Sequence, residues 1–309
     1  MIRSHKIAVI GGGLIGMSWA SLFVAQGHEV TIVDPRSEAG DEFQAFLRDA
    51  WPMLRSLGLA EECCPPRVTV SQDIAAIKEA DFVQECGPDR INVKRDLIAQ
   101  IEEQIAHDTI IASSTSSLTA TDIQRDALRP ARILVGHPMN PPHLVPMVEL
   151  VAGKLTTPDT VNRAEAFYNA LKRVTIRVQK EVPGHLANRL TSALYREAVH
   201  IVAEGIATVE DVDKAISYGP GMRWALMGPH LIYHLGGGKG GYRHYLDHLG
   251  PTQEARWREH GTSQLTEAVK NALIGGIEKE LANMDEASLT QRRDAALVEL
   301  FQLKQKFGF

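Results

Sequence analysis

Apolar residues come in short unbroken runs through the first half of the chain. Lys6-Ile-Ala-Val-Ile10 stops at glycines, and Glu29-Val-Thr-Ile-Val33 stops at an aspartate. Runs of this length without polar alternation fit strands buried on both faces. Between them, Leu14 to Gln26 has the spacing of a helix closed by Gly27-His28. The scheme repeats downstream. Ala80–Glu85, Thr109–Ser113, Ile133–Gly136, Met147–Val151 and Thr175–Val178 read as strands, and Lys94–Ile105 reads as a helix with Leu97, Ile98 and Ile101 on one side. Such alternation predicts an α/β fold with a doubly wound parallel sheet.

The period changes after Pro183-Gly184. His185 to Glu204 carries Leu186, Leu190, Leu194 and Val202 among polar residues, at helical spacing. Thr208-Val-Glu-Asp211 opens another helix in the manner of a capping sequence. No strand pattern follows as far as Phe309, and the chain closes on a long helix from Leu289 to Phe307. The expected organisation is residues 1–184 as the sheet domain and 185–309 as an all-helical domain. A length of 309 residues agrees with two cores.

Charge and cysteine usage narrow the classes of function. The net charge of −5, with no block of Lys and Arg, argues against nucleic-acid binding. No apolar run is long enough for a membrane helix, and Met1 to Lys6 leads straight into the first strand, so no signal peptide is expected. Cys63, Cys64 and Cys86 form neither a disulfide framework nor a C-x-x-C zinc pair. Free thiols in a reducing cytoplasm are the expectation.

Gly11-x-Gly13-x-x-Gly16 sits where the first strand meets the first helix. The first glycine permits a tight turn, the second lets backbone approach a pyrophosphate, and the third lets helix and strand pack closely. The amides of Leu14, Ile15 and Gly16 would face the phosphates at the helix N-terminus. Asp34 ends the second strand, where a carboxylate binds ribose hydroxyls and repels the extra phosphate of NADP. NAD is the expected cofactor, with Arg36 as a residue that could favour NADP. The later cluster Gly236-Gly-Gly-Lys-Gly-Gly241 lacks the order of a phosphate loop and reads as a flexible loop.

His137 follows an apolar strand in Gly136-His-Pro-Met-Asn-Pro-Pro142. Oxidising a hydroxyl needs a hydride acceptor and a base, and an imidazole can take that proton near neutral pH. Glu149, on the next strand, is the nearest downstream carboxylate that could orient it. Ser113-Ser-Thr-Ser-Ser117 ends another strand, where a hydroxyl could meet the reacting oxygen or cap the following helix. The pairs His230/His234 and His244/His248 stand four residues apart without the glutamate of a zinc motif, so no metal is expected.

Taken together, these segments resemble the L-3-hydroxyacyl-CoA dehydrogenase family over nearly the whole chain. The resemblance is carried by Gly11–Gly16, Ala112–Leu118, Gly136–Pro142 through Glu149, and Pro183-Gly-His-Leu-Ala-Asn-Arg-Leu190. It implies an N-terminal Rossmann-type domain binding NAD and a helical C-terminal domain. It assigns His137 as the base, Glu149 as its partner, and Ser116 and Asn188 as contacts to the substrate oxygen. Asp89, Lys94 and Ser114 fall on positions of the cofactor site. Asp89 stands where the family has glutamate, and Ser114 where it often has asparagine.

Two features bear on the substrate. Glu42–Val68 holds only Arg48, Arg55 and Arg67 as basic residues, whereas the phosphates of a CoA tail favour more positive partners. Gly219-Pro-Gly-Met-Arg-Trp224 resembles the turn of the free-acid branch, which holds the L-gulonate 3-dehydrogenases related to lambda-crystallin and the L-carnitine 3-dehydrogenases. The expected substrate is a small L-3-hydroxy acid, its carboxylate held by Arg223. The final helix inclines the reading to gulonate. Tyr218, Trp224, Tyr233, Tyr242 and Tyr245 are the rings that could meet a trimethylammonium group. A 3-hydroxybutyryl-CoA dehydrogenase and a non-catalytic crystallin-like NAD-binding protein are the alternatives. The apolar positions of the second domain predict a homodimer.

Overall fold

A computed structural model describes residues 4–61, 65–66, 68–282 and 284–309, so Cys63, Cys64 and Arg67 lie outside the described residues. The chain divides into two compact units, Met1–Asn188 and Arg189–Phe309. Among the described residues, no helix is long and apolar enough to cross a membrane.

The first unit is built on one sheet. Its strands are β1 (Lys6–Ile10), β2 (Glu29–Val33), β3 (Thr69–Ser71), β4 (Phe82–Glu85), β5 (Ile110–Ser113), β6 (Ile133–Pro138), β7 (Met147–Ala152) and β8 (Val174–Val178). They lie in the order β3-β2-β1-β4-β5-β6-β7-β8. Strands β1 to β6 run parallel. The reversal of strand order between β1 and β4 opens the crevice where ligands bind in such sheets.

The sheet is not parallel throughout, as the alternation had suggested. Strand β7 pairs antiparallel with β6, and β8 runs with β7. The physical reason lies in the connection: residues 139–146 between β6 and β7 hold no helix, and a parallel return needs a crossover of a dozen or more residues.

Side-chain alternation divides the sheet into two faces. On one, α1 (Leu14–Ala25) and α5 (Pro158–Ala170) bring Trp19, Phe23, Phe167 and Tyr168 over Phe82 of β4. The Trp19, Phe23 and Tyr168 side chains are fully buried, each worth about 1.5–3 kcal/mol of transfer free energy. On the other face, Ala8, Ile10, Val83, Ile111, Val135 and Val151 pack with Ile98 and Ile101 of α3 (Ile91–Gln104) and Ile123 of α4 (Ala120–Ile123). Helix α2 (Ala39–Ser56) buries Phe43, Leu47 and Leu54, and it packs on α1.

Helix α6 (Ala187–Ala203) begins in the first unit. The second unit continues with α7 (Val209–Ser217), α8 (Pro220–Trp224), α9 (Pro229–Gly236), α10 (Gly241–Glu259), α11 (Glu267–Leu281) and α12 (Glu286–Phe307). It has no strand among its described residues. Thr208 caps α7 by accepting from the Asp211 amide. The glycine cluster is a tight junction rather than a loop: residues 238–240 form a single 3-10 turn joining α9 to α10. A Cβ on Gly237 would lie 1.9 Å from the Gly241 carbonyl oxygen, so the approach needs glycine.

Candidate active site

The turn from β1 to α1 shows what its glycines do. Gly11 has φ +101°, and a Cβ there would lie 2.8 Å from the Cys86 carbonyl oxygen. A Cβ on Gly16 would lie 1.8 Å from the Gly11 carbonyl oxygen, which fixes helix against turn. Gly13 differs: nothing lies within 4 Å of its Cβ position. That open side adjoins the start of α1, where no side chain caps the helix and the amides of Leu14, Ile15 and Gly16 meet no acceptor among the described residues. Glycines that close the turn, one that leaves room, and free amides together fit a dinucleotide pyrophosphate.

Asp34 ends β2 beside this turn. Its carboxylate accepts from the Gly12 amide at 2.6 Å and from the amide and Nε of Arg36 at 3.0 Å each. Burial pushes its pKa up. The amides and the guanidinium outweigh that together and hold it below the ordinary value, so it stays charged. Arg36 also donates to Glu42 at 2.8 Å and to the Gly12 carbonyl at 3.1 Å. Its charge is thus spent between two carboxylates. The cluster of Asp34, Arg36 and Glu42 carries a net negative charge, which disfavours the extra phosphate of NADP.

Strand register brings the candidate base to its carboxylate. His137 on β6 is the antiparallel partner of Glu149 on β7. His137 Nδ1 lies 2.7 Å from Glu149 Oε2, with both side chains buried. The other oxygen of Glu149 accepts from the amides of Leu186 at 2.7 Å and Ala187 at 3.0 Å, where α6 begins. Burial acts most strongly on Glu149 and raises its pKa. The His137 hydrogen bond, the two amides and the attraction of His137 together outweigh it and hold the pKa below the usual glutamate value. An ionised carboxylate only accepts, so His137 carries a proton on Nδ1 and keeps the Nε2 lone pair for a substrate.

The strand ends beside His137 carry a second polar cluster. Glu85 and Ser113 are register partners on β4 and β5, and the Ser113 hydroxyl donates to Glu85. Lys94 Nζ, 1% exposed, reaches both Glu85 oxygens at 3.0 and 2.8 Å and the Gly87 carbonyl at 3.0 Å. Losing one partner of such a buried pair costs about 3–5 kcal/mol. Asp89 binds the serine loop: Thr115 and Ser117 donate their hydroxyls to it, and Ser116 lies at 3.3 Å through both its amide and its hydroxyl. Ser114 accepts from Gln84 Nε2 at 2.8 Å, and Gln84 in turn accepts from the buried Tyr168 hydroxyl at 2.6 Å. Burial pushes the Cys86 thiol up to about 12, which leaves no thiolate for covalent chemistry.

These residues converge. One cavity of about 410 Å³ is lined by Ile15 of α1, Asp89, Lys94, Ser114, Ser116, His137 and Asn188, among others. Asn188 donates to the Ser116 carbonyl at 3.2 Å. The start of the glycine-turn helix and the candidate base thus share one space, with Glu149 behind the base. Glu85, Thr115 and His185 were missed in the sequence. Glu85 had a signal, an acid ending an apolar strand. His185 had none, because its part depends on a left-handed backbone (φ +51°) that costs a residue with a side chain about 1–2 kcal/mol.

Arg223 belongs to the second unit, in α8. Gly219 and Gly221 let this helix approach the end of α7: a Cβ on either would lie 2.3 or 2.5 Å from the carbonyls of Ala215 and Ile216. Lys304 of α12 holds the Ala225 and Leu226 carbonyls at 2.6 and 3.1 Å. The Arg223 side chain is exposed, with no ion pair among the described residues. Tyr233, Tyr242 and Tyr245 stack on one another, at 4.5 Å and 6.1 Å between centroids. Among the described residues no three His, Cys, Asp or Glu side chains gather as a metal site; His230 pairs instead with Tyr242, and His244 with His248.

Residues 6–182 match the 3-hydroxyacyl-CoA dehydrogenase, NAD binding domain, and residues 184–273 match the C-terminal domain of the same family. The chain belongs to the 3-hydroxyacyl-CoA dehydrogenase family. It is an NAD-dependent oxidoreductase acting on a CH–OH group. It is 42% identical to an L-carnitine dehydrogenase of Bacillus cereus, over 98% of this chain and 93% of that one. It is 41% identical to an L-carnitine dehydrogenase of Streptomyces coelicolor, over 98% and 96%. Among solved structures, a 5-formyl-3-hydroxy-2-methylpyridine 4-carboxylic acid 5-dehydrogenase, described as an NAD+ dependent dismutase, superposes with a TM-score of 0.84. It is 28% identical, and 98% of this chain and 99% of that one are covered. The (S)-3-hydroxybutyryl-CoA dehydrogenase of Ralstonia eutropha superposes with a TM-score of 0.63 at 26% identity, over 69% and 77%.

Proposed function

We propose that this protein oxidises L-carnitine to the 3-keto acid with NAD. The observation that carries the chemistry is the His137–Glu149 pair. Its Nδ1 is held by a carboxylate and its ring lines the cavity that Ile15 of the glycine-turn helix also lines. Bound NAD supplies the hydride acceptor. His137 Nε2 takes the hydroxyl proton, and Glu149 stabilises the imidazolium that results. The Ser116 hydroxyl and the Asn188 amide orient the reacting oxygen. Gly11, Gly13 and Gly16, with the amides of Leu14 and Ile15, hold the pyrophosphate, and Asp34 holds the ribose. Lys94 and Asp89 act by fixing Glu85 and the serine loop at the cofactor's edge.

The choice of carnitine rests on the named relatives, which turn the reading away from gulonate. Arg223 has no carboxylate partner among the described residues and suits a free substrate carboxylate. Tyr218 and Trp224 are exposed, which suits rings that would meet a trimethylammonium group, whereas Tyr233, Tyr242 and Tyr245 stack among themselves. NADH formation should be followed with L-carnitine, L-gulonate, 3-hydroxybutyrate and its CoA thioester, with NAD and NADP in parallel. Turnover of L-carnitine with NAD supports the assignment. Turnover of the thioester alone would move it to the CoA branch, and no turnover with any would leave a binding protein.

We assign residues 1–184 to cofactor binding and 185–309 to the substrate carboxylate and dimerisation. The homodimer is supported by exposed Tyr195, Met222, Leu231, Leu246 and Trp257 in a unit with few buried apolar side chains. Light scattering in solution checks it, with a monomer mass as the contrary result. The cytoplasm is the proposed location, supported by the unpaired Cys86.

A further inference from the structure

The segment 184–188 grips the site at three points. The amides of Leu186 and Ala187 hold Glu149, and Asn188 holds the Ser116 carbonyl. The third point is His185, which is fully buried. Its backbone and that of Gly184 are both left-handed, at φ +51° and +76°. The His185 ring lies 5.1 Å from the His137 ring, tilted by 48°. His185 Nε2 lies 3.1 Å from the Thr115 carbonyl oxygen. A carbonyl only accepts, so the proton sits on Nε2. Nδ1 is buried with no hydrogen-bond partner among the described residues.

Resting on the reading of His137 as base, we propose that His185 is a positioning residue for that proton transfer. As a neutral ring, it ties the Thr115 peptide, and with it Ser116, to the flank of the His137 imidazole. Asp89 grips the same loop through the Thr115 hydroxyl, so the peptide before Ser116 is held from two sides. Neutrality matters because His137 becomes a cation during turnover. A second cation at 5.1 Å would oppose it and compete for Glu149. The groups that act on His185 are His137, Glu149 and Asp89. Burial depresses its pKa most, the Thr115 carbonyl opposes that, and His137 adds to the depression.

Two variants separate positioning from bulk. Glutamine offers an N–H donor at about the reach of Nε2, and leucine keeps volume without a donor. His185→Leu should lower kcat by about 30–100-fold, the scale of a reacting group displaced by about 1 Å. KM for NAD should stay within about two-fold, and His185→Gln should stay within about five-fold of wild type in kcat. Equal losses in both variants, or no loss in either, would overturn the proposal. Nitrogen-15 NMR of the wild-type histidines gives a readout that needs no turnover. The ring signal that disappears in His185→Leu should hold the Nε2–H form unchanged between pH 6 and 9, as distinct from the signal of buried His28, and titration of His185 in that range would also overturn it. Wild-type protein that turns over no 3-hydroxy acid but shows this NMR signature would instead refute the catalytic reading.

Discussion

Replacing Glu149 by glutamine removes one acceptor from a carboxylate that takes hydrogen bonds from three donors: His137 Nδ1 at 2.7 Å, the Leu186 amide at 2.7 Å and the Ala187 amide at 3.0 Å. The glutamine amide has two orientations. If its NH2 faces the backbone, two buried amides lose their acceptor, at about 1–3 kcal/mol each. If its NH2 faces His137 instead, the backbone bonds survive and the histidine must accept at Nδ1. The second orientation is cheaper. It forces the imidazole proton onto Nε2, the atom that has to receive the substrate proton. The expected loss in kcat is on the order of 10³–10⁴-fold, about 4–5.5 kcal/mol of barrier. The assay is NADH absorbance at saturating substrate, with NAD affinity measured separately by fluorescence and the fold checked by circular dichroism. NAD affinity should be unchanged. A folded variant with kcat within tenfold of wild type would refute the orienting role of Glu149. The same substitution has a pH signature. The Glu149 pKa is lowered by folding, so its contribution to stability is full above the ordinary glutamate range and is lost as pH falls through the depressed value. The variant should lack that portion of acid destabilisation.

The two helix-entry glycines should fail differently. Gly16→Ala puts a Cβ 1.8 Å from the Gly11 carbonyl oxygen and should lower the melting temperature sharply, whereas Gly13→Ala meets nothing within 4 Å and should weaken NAD binding at unchanged melting temperature. Equal melting temperatures for both variants would count against this steric division. Asp34→Ser releases Arg36 from one of its two carboxylates, and the ratio of kcat/KM for NADP to that for NAD should rise by roughly 10²-fold. An unchanged ratio would show that the cofactor is chosen elsewhere. His28 is buried and its pKa is lowered from 6.5 to about 4, chiefly by burial. A fold that keeps this ring neutral loses stability as pH falls from about 6.5 to 4, by about 3 kcal/mol in all. His28→Asn keeps an acceptor for the His5 amide and should flatten that slope in urea titrations at pH 7 and pH 4.5; a wild-type slope would contradict the assignment.

What could be read from the chain was mostly local. Apolar runs marked seven of the eight strands: β4, β5 and β6 are buried along their whole length and need them, while the edge strand β8 carries enough Val and Ile to show despite its exposure. The short β3, with intermediate or exposed side chains, carried too little of that signal. Direction is not written in an apolar run, so β7 was taken as parallel. Yet its reversal is what sets Glu149 opposite His137, and only the short link after His137 hinted at it. Helix α2 was legible in the spacing of Phe43, Leu47, Ala50 and Leu54 but was read only for its charges. Residue types at strand ends pointed to His137, Asp34 and the serine loop, and Glu149 was legible as the nearest downstream carboxylate, on the next strand. The partners of Lys94 and Asp89 were hidden because Glu85 and Thr115 meet them only through strand register and loop closure. His185 needed the backbone itself.

The most direct measurement of the chemistry follows one hydrogen. Wild-type protein should be incubated with NAD and L-carnitine carrying deuterium on the hydroxyl-bearing carbon, and the reduced cofactor examined by NMR. One deuterium at C4 of the nicotinamide, in equal amount to the keto acid formed, is the predicted result. Reduced cofactor without the label, or no reduction while another hydroxy acid or a CoA thioester is oxidised, would contradict L-carnitine oxidation at this site.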